Sequence, residues 1–143
     1  MKIKIPLQLI ELEDDNFHLV VESVLPDKTT GYWIVDTGAS KTVFDKNLSE
    51  NFREVETAPE EIHTAGIGEK PLESSVGSLN PFTLGKLKVG QLRVALLDLS
   101  HLNNYYSKVT SLKICGLLGS DFLFWRHALI DFKKKQLILK RLF

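Results

Sequence analysis

The sequence predicts an all-β protein, and three observations carry this prediction. Apolar residues recur mostly at every second position, which is the spacing of a strand with one buried face. The segments 3–12 and 17–24 are rich in β-forming residues. Polar, turn-forming residues follow them at 13–16 and 27–31, as expected between paired strands. Helices are therefore expected to be few and short.

The remaining elements are predicted from the same patterns. Further strands are predicted over 60–64, 72–84, 87–99, 128–132 and 136–142. A short helix is predicted over 44–52, because Asp45 can cap it and Leu48 and Phe52 lie four residues apart. A second short helix is predicted to begin near Asp121, with Ser120 as its cap. The segment 100–111 reads as a loop with room for one helical turn.

Length and charge limit the possible classes of protein. The 143 residues fit a single domain, 1–143, with a substantial core. The chain has 18 basic and 18 acidic residues, so its formal net charge is zero. No overall field attracts nucleic acid or an anionic membrane, and we expect neither as a partner.

The lone Cys115 excludes an internal disulfide and any multi-cysteine metal site. Its apolar neighbours predict a buried, inert thiol, which is compatible with a reducing compartment. The first residues lack the long apolar region of a signal peptide, and no apolar stretch approaches the length of a membrane span. We therefore expect a cytoplasmic protein, although a removed leader would leave no trace here.

The most informative motif is Asp36-Thr37-Gly38-Ala39-Ser40, which follows the apolar run 32–35. A strand that ends in Asp-Thr-Gly can hold a carboxylate at a tight turn. Gly38, which lacks a Cβ, lets backbone N–H groups approach the Asp36 oxygens, and a Cβ there is expected to crowd the backbone. An isolated Asp-Thr-Gly is more often an ordinary turn after a strand, so the motif needs support from elsewhere in the chain.

That support comes from the apolar, Gly-containing run 114–123, which includes Leu117, Leu118 and Gly119. With these motifs the chain resembles the retropepsin-like single-domain aspartic proteases, of the cellular and bacterial type, and the resemblance implies that this run threads a strand beneath the loop of Asp36. Three segments carry the resemblance: Trp33-Ile34-Val35-Asp36-Thr37-Gly38-Ala39-Ser40, Gly116-Leu117-Leu118-Gly119-Ser120-Asp121-Phe122-Leu123 and Ala128-Leu129-Ile130-Asp131-Phe132. The resemblance implies a barrel-like β fold with one or two short helices and one catalytic Asp in each chain.

The resemblance also implies a mechanism. Two carboxylates share one proton and activate a water that attacks a peptide bond, with no cofactor and no metal. No other Asp precedes Thr-Gly or Ser-Gly, so the second carboxylate must come from another copy of the chain. By the resemblance, Thr37 bridges the two chains and Gly38 helps to orient Asp36. Ala39 and Ser40 would line the cleft for a peptide substrate, and the terminal segments 1–10 and 136–143 would contribute to the homodimer.

A glycine-rich segment about thirty residues after Asp36 has two interpretations. By its position, the run Ala65-Gly66-Ile67-Gly68 fits a hairpin flap that closes over substrate. It also fits an ordinary exposed turn, because glycine-rich hairpin tips are common. A phosphate-binding loop is excluded, since no Gly-Lys-Ser/Thr follows.

Other kinds of catalytic or binding site have weaker support. The four histidines are scattered without metal-ligand spacing: His18, His63, His101 and His127. The run 133–135 is three lysines between two predicted strands and reads as a solvated turn. Trp33 and Trp125 are expected in the core or the cleft wall.

Two departures from the retroviral pattern place the resemblance with the cellular and bacterial members. Ser40 and Ser120 stand where retroviral members carry an acidic residue and an Arg that pair, and Asp121 stands where they usually carry Asn. A second hypothesis stays open at this point. The chain would then keep the fold as a catalytically inactive peptide-binding or dimerisation module.

Overall fold

The computed structural model describes residues 1–55 and 75–141, and this part of the chain is mostly β, as predicted. Two α-helices, α1 (Ser100–Tyr106) and α2 (Ser120–Trp125), and one 3-10 turn (Ser49–Asn51) accompany the strands. The strands are β1 (Lys2–Pro6), β2 (Gln8–Glu13), β3 (Asn16–Val24), β4 (Thr30–Val35), β5 (Val43–Asp45), β6 (Phe52–Val55), β7 (Ser75–Leu79), β8 (Phe82–Leu84), β9 (Leu87–Val89), β10 (Leu92–Leu97), β11 (Ile114–Leu118), β12 (Leu129–Asp131) and β13 (Gln136–Lys140).

The described strands form a large sheet and a small one. The large sheet has ten strands in the order β6-β7-β10-β5-β11-β4-β3-β8-β9, with β2 beside β3. Most neighbours in it are antiparallel, but β4 pairs with β11 and β5 with β10 in parallel. Parallel neighbours require crossover connections, so chain segments distant in sequence meet at the centre of this sheet.

Alternate residues of the central strands enter two different apolar cores. Trp33 and Phe44 belong to one core, whereas their neighbours Ile34 and Val43 belong to the other. Successive side chains of a strand point to opposite faces, so the centre of the sheet is covered on both faces. This explains why the strand before Asp36 reads as a continuous apolar run and not as an alternating one.

The small sheet joins the two ends of the described chain. Its order is β1-β13-β12, with Lys2 opposite Lys140 and Pro6 opposite Gln136. The predicted strand 3–12 is interrupted at Leu7, whose N–H donates to the Lys135 carbonyl 2.8 Å away. β13 has a strand on each side, so the edge strands of this small sheet are β1 and β12, as far as the described residues show.

The helix predicted over 44–52 is wrong. β5 occupies the beginning of this segment, and within 44–52 the helical residues are those of the 3-10 turn Ser49–Asn51. Asp45 caps no helix, because its Oδ1 accepts from the backbone N–H groups of Asn47 and Leu99 at 3.1 and 3.3 Å. Phe44 packs against Trp33 with ring centroids 5.6 Å apart. Burial of Phe44 in the core outweighs the weak local helix pattern.

The segment predicted as a loop begins instead with the seven-residue helix α1. The Asp98 side chain accepts a hydrogen bond from the Ser100 N–H at 2.9 Å and satisfies a donor at the helix start. Hydrogen bonds from Ser100 and Asn47 lower the pKa of Asp98 to about 2. At the other end of the helix, Tyr106 is buried in the second core. Side-chain burial and this hydrogen bond stabilise a helix that the local composition did not predict.

Several smaller predictions are resolved by the described residues. Cys115 is buried as predicted, and burial raises the pKa of its thiol well above the usual value. Trp33 lies in the core, whereas Trp125 is more than half exposed and is not a core residue. The lysines at 133–135 connect β12 and β13, as predicted. Neither described helix is long and apolar enough to cross a membrane.

Candidate active site

Asp36 is held at the end of β4 by the neighbouring parallel strand. Val35 lies opposite Leu118 in the β4–β11 ladder, and the Asp36 N–H donates to the Leu118 carbonyl at 2.9 Å. The chain leaves the sheet immediately after this hydrogen bond. The position of Asp36 is therefore fixed by the central strands and not by the loop alone.

The loop closes around the Asp36 side chain. The Gly38 N–H donates to Asp36 Oδ1 at 3.0 Å, as predicted, and the Ala39 N–H donates to the Asp36 carbonyl at 3.2 Å. Asp36 is partly exposed, while Thr37, Gly38 and Ser40 are exposed. The carboxylate is thus oriented by the backbone and still accessible from solvent.

Gly38 differs from expectation in one respect. A Cβ at this position would approach only Asp36 Oδ1, at 3.3 Å, and its backbone is not in the left-handed region. The expectation that a Cβ would crowd the backbone is therefore wrong. A side chain at this position would contact the Asp36 carboxylate. We therefore expect a substitution of Gly38 to disturb the orientation of Asp36 and not the folding of the protein.

The run from Leu117 to Gly119 lies beneath this loop, where the sequence predicted a support. The Ser120 N–H donates to the Ala39 carbonyl at 2.7 Å. A Cβ on Gly119 would stand 2.6 Å from the Lys41 carbonyl carbon and 2.8 Å from the Ala39 oxygen. Only a glycine allows β11 and α2 to approach the Asp36 loop this closely.

A second link, between Thr42 and Asp121, was not predicted as part of the site. Asp121 Oδ1 accepts from the Thr42 N–H at 3.0 Å and from the Thr42 hydroxyl at 2.8 Å. The same hydroxyl oxygen accepts from the Gly119 N–H at 3.1 Å. These hydrogen bonds tie the segment after the Asp36 loop to the start of α2 across 79 residues of sequence.

The start of α2 also corrects the predicted cap. The N-cap residue is Gly119, no side chain caps the helix, and Ser120 is the first helical residue. Asp121 lies in the first turn, where its Oδ1 also accepts from the Phe122 N–H at 2.7 Å. The sequence offered one signal for Asp121: it is an acidic residue near a predicted helix start, where negative charge is favourable.

We expect Thr42→Val to lower the free energy of unfolding by about 1–3 kcal/mol, because the Gly119 N–H would lose its acceptor and Asp121 a donor. Thr42→Ser keeps the hydroxyl and is the matched control. Chemical denaturation of both variants measures the difference. Equal stability of Thr42→Val and the parent protein would show that the hydroxyl link contributes nothing.

The remaining residues that the sequence singled out lie either outside the described part of the chain or elsewhere in the fold. Ala65, Gly66, Ile67 and Gly68, together with the predicted strand 60–64, lie outside the described residues. His18 Nδ1 is 2.6 Å from the Tyr106 hydroxyl, on the side of the second core. Among residues 1–55 and 75–141, no group of three or more metal-ligating side chains is close enough to hold an ion.

Comparisons with known proteins agree with this geometry. Residues 23–122 match the family described as aspartyl protease. Among solved structures, a retropepsin-like aspartic protease from Rickettsia conorii is similar with a TM-score of 0.51 and 19% identity, over 97% of this chain and 90% of that one. The retroviral protease-like domain of Ddi1 from Leishmania major is similar with a TM-score of 0.55 and 16% identity, over 85% of this chain and 87% of that one.

A search of curated protein sequences found no significant match. The identities to the solved structures are low, so these likenesses concern the fold, and they confirm the predicted all-β, retropepsin-like architecture. The family match covers more than half of the chain and includes both the Asp36 loop and the strand beneath it. The chain therefore belongs to the aspartyl protease family and has the retropepsin-like fold.

Proposed function

We propose that this protein is an aspartic endopeptidase, in which two Asp36 carboxylates from a homodimer activate the water that hydrolyses a peptide bond. The observation that carries the proposal is the setting of Asp36. Its backbone is fixed by Leu118, its Oδ1 is oriented by the Gly38 N–H, and its side chain remains accessible to solvent. This is what a general acid or base at a cleft requires.

The chemistry needs two such groups. Two carboxylates in close contact do not both ionise readily, so one retains a proton. The ionised one accepts a proton from water while the protonated one donates to the carbonyl oxygen of the substrate. The water oxygen attacks the carbonyl carbon as it loses this proton, and the carboxyl group that took the proton then gives it to the amine nitrogen as the C–N bond breaks. The mechanism uses only these carboxylates and water, so we propose no cofactor or metal.

The second carboxylate is proposed to come from a second copy of the chain. The sequence contains one Asp-Thr-Gly. Asp45, Asp98 and Asp121 have other roles, since each accepts hydrogen bonds that close a turn or start a helix. Thr37 is exposed directly beside Asp36, which suits contact with its own copy across a two-fold axis.

The substrate class follows from the same placement. Ala39 and Ser40 are beside Asp36 at the surface, where a small side chain leaves room for an extended peptide. A diverse peptide library, incubated with concentrated protein at mildly acidic pH, tests the proposal. Cleavage that requires Asp36 supports it. A folded parent protein that cleaves no peptide would favour the inactive binding module.

We expect kcat/KM to depend on pH as a bell with its maximum below neutrality, because only the singly protonated pair offers both an acid and a base. The low-pH limb reports protonation of both carboxylates, and the high-pH limb reports loss of the shared proton. Peptidase assays from about pH 3 to pH 8 measure it. A rate that rises steadily into the alkaline range would indicate a different nucleophile.

A further inference from the structure

The small sheet buries one face and exposes lysines on the other. Ile5 and Leu139 point into an apolar core. Lys2 and Lys4 on β1 and Lys140 on β13 are exposed. Successive side chains of a strand point to opposite faces, so the three lysines share the face that turns away from the core. We call this outer face, with Lys2, Lys4 and Lys140, the lysine face.

Two of these lysines face each other across neighbouring strands. Lys2 lies directly opposite Lys140 in the β1–β13 ladder. Side chains in such positions start about 5 Å apart, and like charges there destabilise the sheet. Neither lysine forms an ion pair with an acidic residue in the ranges 1–55 and 75–141. Within the described residues, this repulsion has no compensating negative charge.

A buried arginine adds positive charge beside Lys140. Arg126 is 8% exposed, and its Nη1 donates to the Lys140 carbonyl at 3.3 Å. The guanidinium also lies over the Phe122 ring, 5.7 Å from the ring centroid. Burial lowers the pKa of Arg126, and no carboxylate of the described chain opposes this effect. The charge of Arg126 therefore adds to the positive field at this end of the sheet.

Basic residues are concentrated in the segments that form the small sheet. Residues 1–6 and 126–141 contain 8 of the 18 basic residues but one of the 18 acidic residues, Asp131. The Asp131 side chain accepts a hydrogen bond from the Lys134 N–H at 2.9 Å. These segments have a formal net charge of +7, and the rest of the chain has −7. The zero net charge of the whole protein thus conceals a strong separation of charge.

We infer that the lysine face binds an acidic segment of another polypeptide in an extended conformation. Lys2 and Lys4 are two residues apart on one strand, so their side chains start roughly 7 Å apart. Alternate side chains of an extended peptide have the same spacing. Carboxylates at every second position of the peptide can therefore meet both lysines, and Lys140 is close enough to share the first of them. This surface does not depend on the catalytic role proposed for Asp36.

The size of the lysine face favours a short peptide over a larger polyanion. β1 has five residues, so the face is roughly 17 Å long, and its three strands make it roughly 10 Å wide. A nucleic acid duplex or an anionic membrane extends beyond these dimensions. It would then approach the rest of the surface, whose net negative charge repels it within roughly 10 Å. A short acidic segment fits within the face and avoids this repulsion.

A binding experiment with matched variants tests the inference. The probe is a fluorescein-labelled peptide of repeated Glu-Ser units, and its fluorescence anisotropy is measured during titration with protein at low ionic strength. We expect Lys2→Gln/Lys4→Gln to raise the dissociation constant at least about fivefold. Lys86→Gln/Lys88→Gln removes two exposed lysines with the same spacing near β9 and should leave it unchanged. Added salt should weaken binding by the parent protein.

The outcomes that overturn the inference are distinct. A folded parent protein that does not bind the Glu-Ser peptide would overturn it, as would equal affinity for a Gln-Ser peptide. Equal weakening by the two double variants would show an effect of overall charge and not of this face. Tighter binding of single-stranded DNA or of phosphatidylserine vesicles than of the peptide would assign the face to a different class of partner.

A stability measurement separates binding from a structural role of these lysines. Lys2→Glu replaces the like-charge pair with Lys140 by an opposite-charge pair, so we expect its melting temperature to equal or exceed that of the parent. The same variant should bind the Glu-Ser peptide more weakly than the parent. Undiminished binding by folded Lys2→Glu would overturn the inference, and a lower melting temperature would show that Lys2 serves the fold of the sheet instead.

Discussion

Asp36→Asn is expected to abolish peptidase activity, with a fall in kcat of at least about a thousandfold, while the protein stays folded. The amide has the shape of the carboxylate, and its oxygen can still accept the hydrogen bond that the Gly38 N–H donates to Asp36 Oδ1 at 3.0 Å. The backbone bond from Asp36 to the Leu118 carbonyl does not involve the side chain at all. What the variant loses is the group that accepts a proton from water.

Asp15→Asn is the matched control, because it makes the same chemical change in the exposed turn between β2 and β3. Asp15 has φ 63, a conformation that Asn tolerates well. Peptide cleavage and thermal unfolding should be measured for both variants and the parent. Asp36→Asn with more than a small fraction of parent activity and an unchanged pH profile would rule out Asp36 as the acid or base. Loss of activity in Asp15→Asn as well would point to a general effect of charge.

The part of the site that could be predicted from sequence is the part encoded locally. Asp36 and Gly38 are two residues apart, and the turn that joins them needs only a strand end and the Gly38 N–H that donates to the Asp36 side chain. The strand beneath the loop was also predictable, because the resemblance to the retropepsin-like proteases implies that a Leu-Leu-Gly run supports the Asp-Thr-Gly loop. The structure places this support in contact with the loop, through the Asp36–Leu118 hydrogen bond.

The parts that could not be predicted depend on contacts between distant segments. Thr42 and Asp121 are hydrogen-bonded across 79 residues, and nothing in the sequence around either residue identifies the other as its partner. The helix expected over 44–52 failed for a related reason. Its spacing of apolar residues was helical, but Phe44 is drawn into the core of the sheet against Trp33. Burial of an aromatic side chain contributes more than the few tenths of a kcal/mol that separate local propensities.

The pairing of strands in the small sheet could not be predicted from the sequence either. β-forming composition at both ends of the chain was visible, but composition does not specify a partner strand. Pairing of Ile3 with Leu139 and of Ile5 with Leu137 buries apolar side chains within one chain. The last strand, β13, consequently lies inside the small sheet, between β1 and β12, and not at its edge.

Gly119→Ala is expected to lower the free energy of unfolding by about 3 kcal/mol, near the upper end for an added methyl group in a packed site. The new Cβ would lie 2.6 Å from the Lys41 carbonyl carbon, 2.7 Å from its oxygen and 2.8 Å from the Ala39 oxygen. All three are backbone atoms, so no side-chain rotation relieves the overlap. Gly119 has φ −86, which alanine adopts readily, so the cost is steric and not conformational.

Gly90→Ala is the matched control, because no atom lies within 4 Å of the position of its Cβ. Alanine at such a site reduces the freedom of the unfolded chain and is expected to be neutral or to stabilise by up to about 1 kcal/mol. Thermal denaturation should give a melting temperature roughly 10 °C lower for Gly119→Ala and unchanged or slightly higher for Gly90→Ala. The fraction of Gly119→Ala that remains folded should have a lower kcat with a smaller change in KM, because displacement of Ala39 moves the loop that orients Asp36. Equal stability of the two variants would mean that β11 and α2 do not pass beneath the Asp36 loop as closely as these distances require.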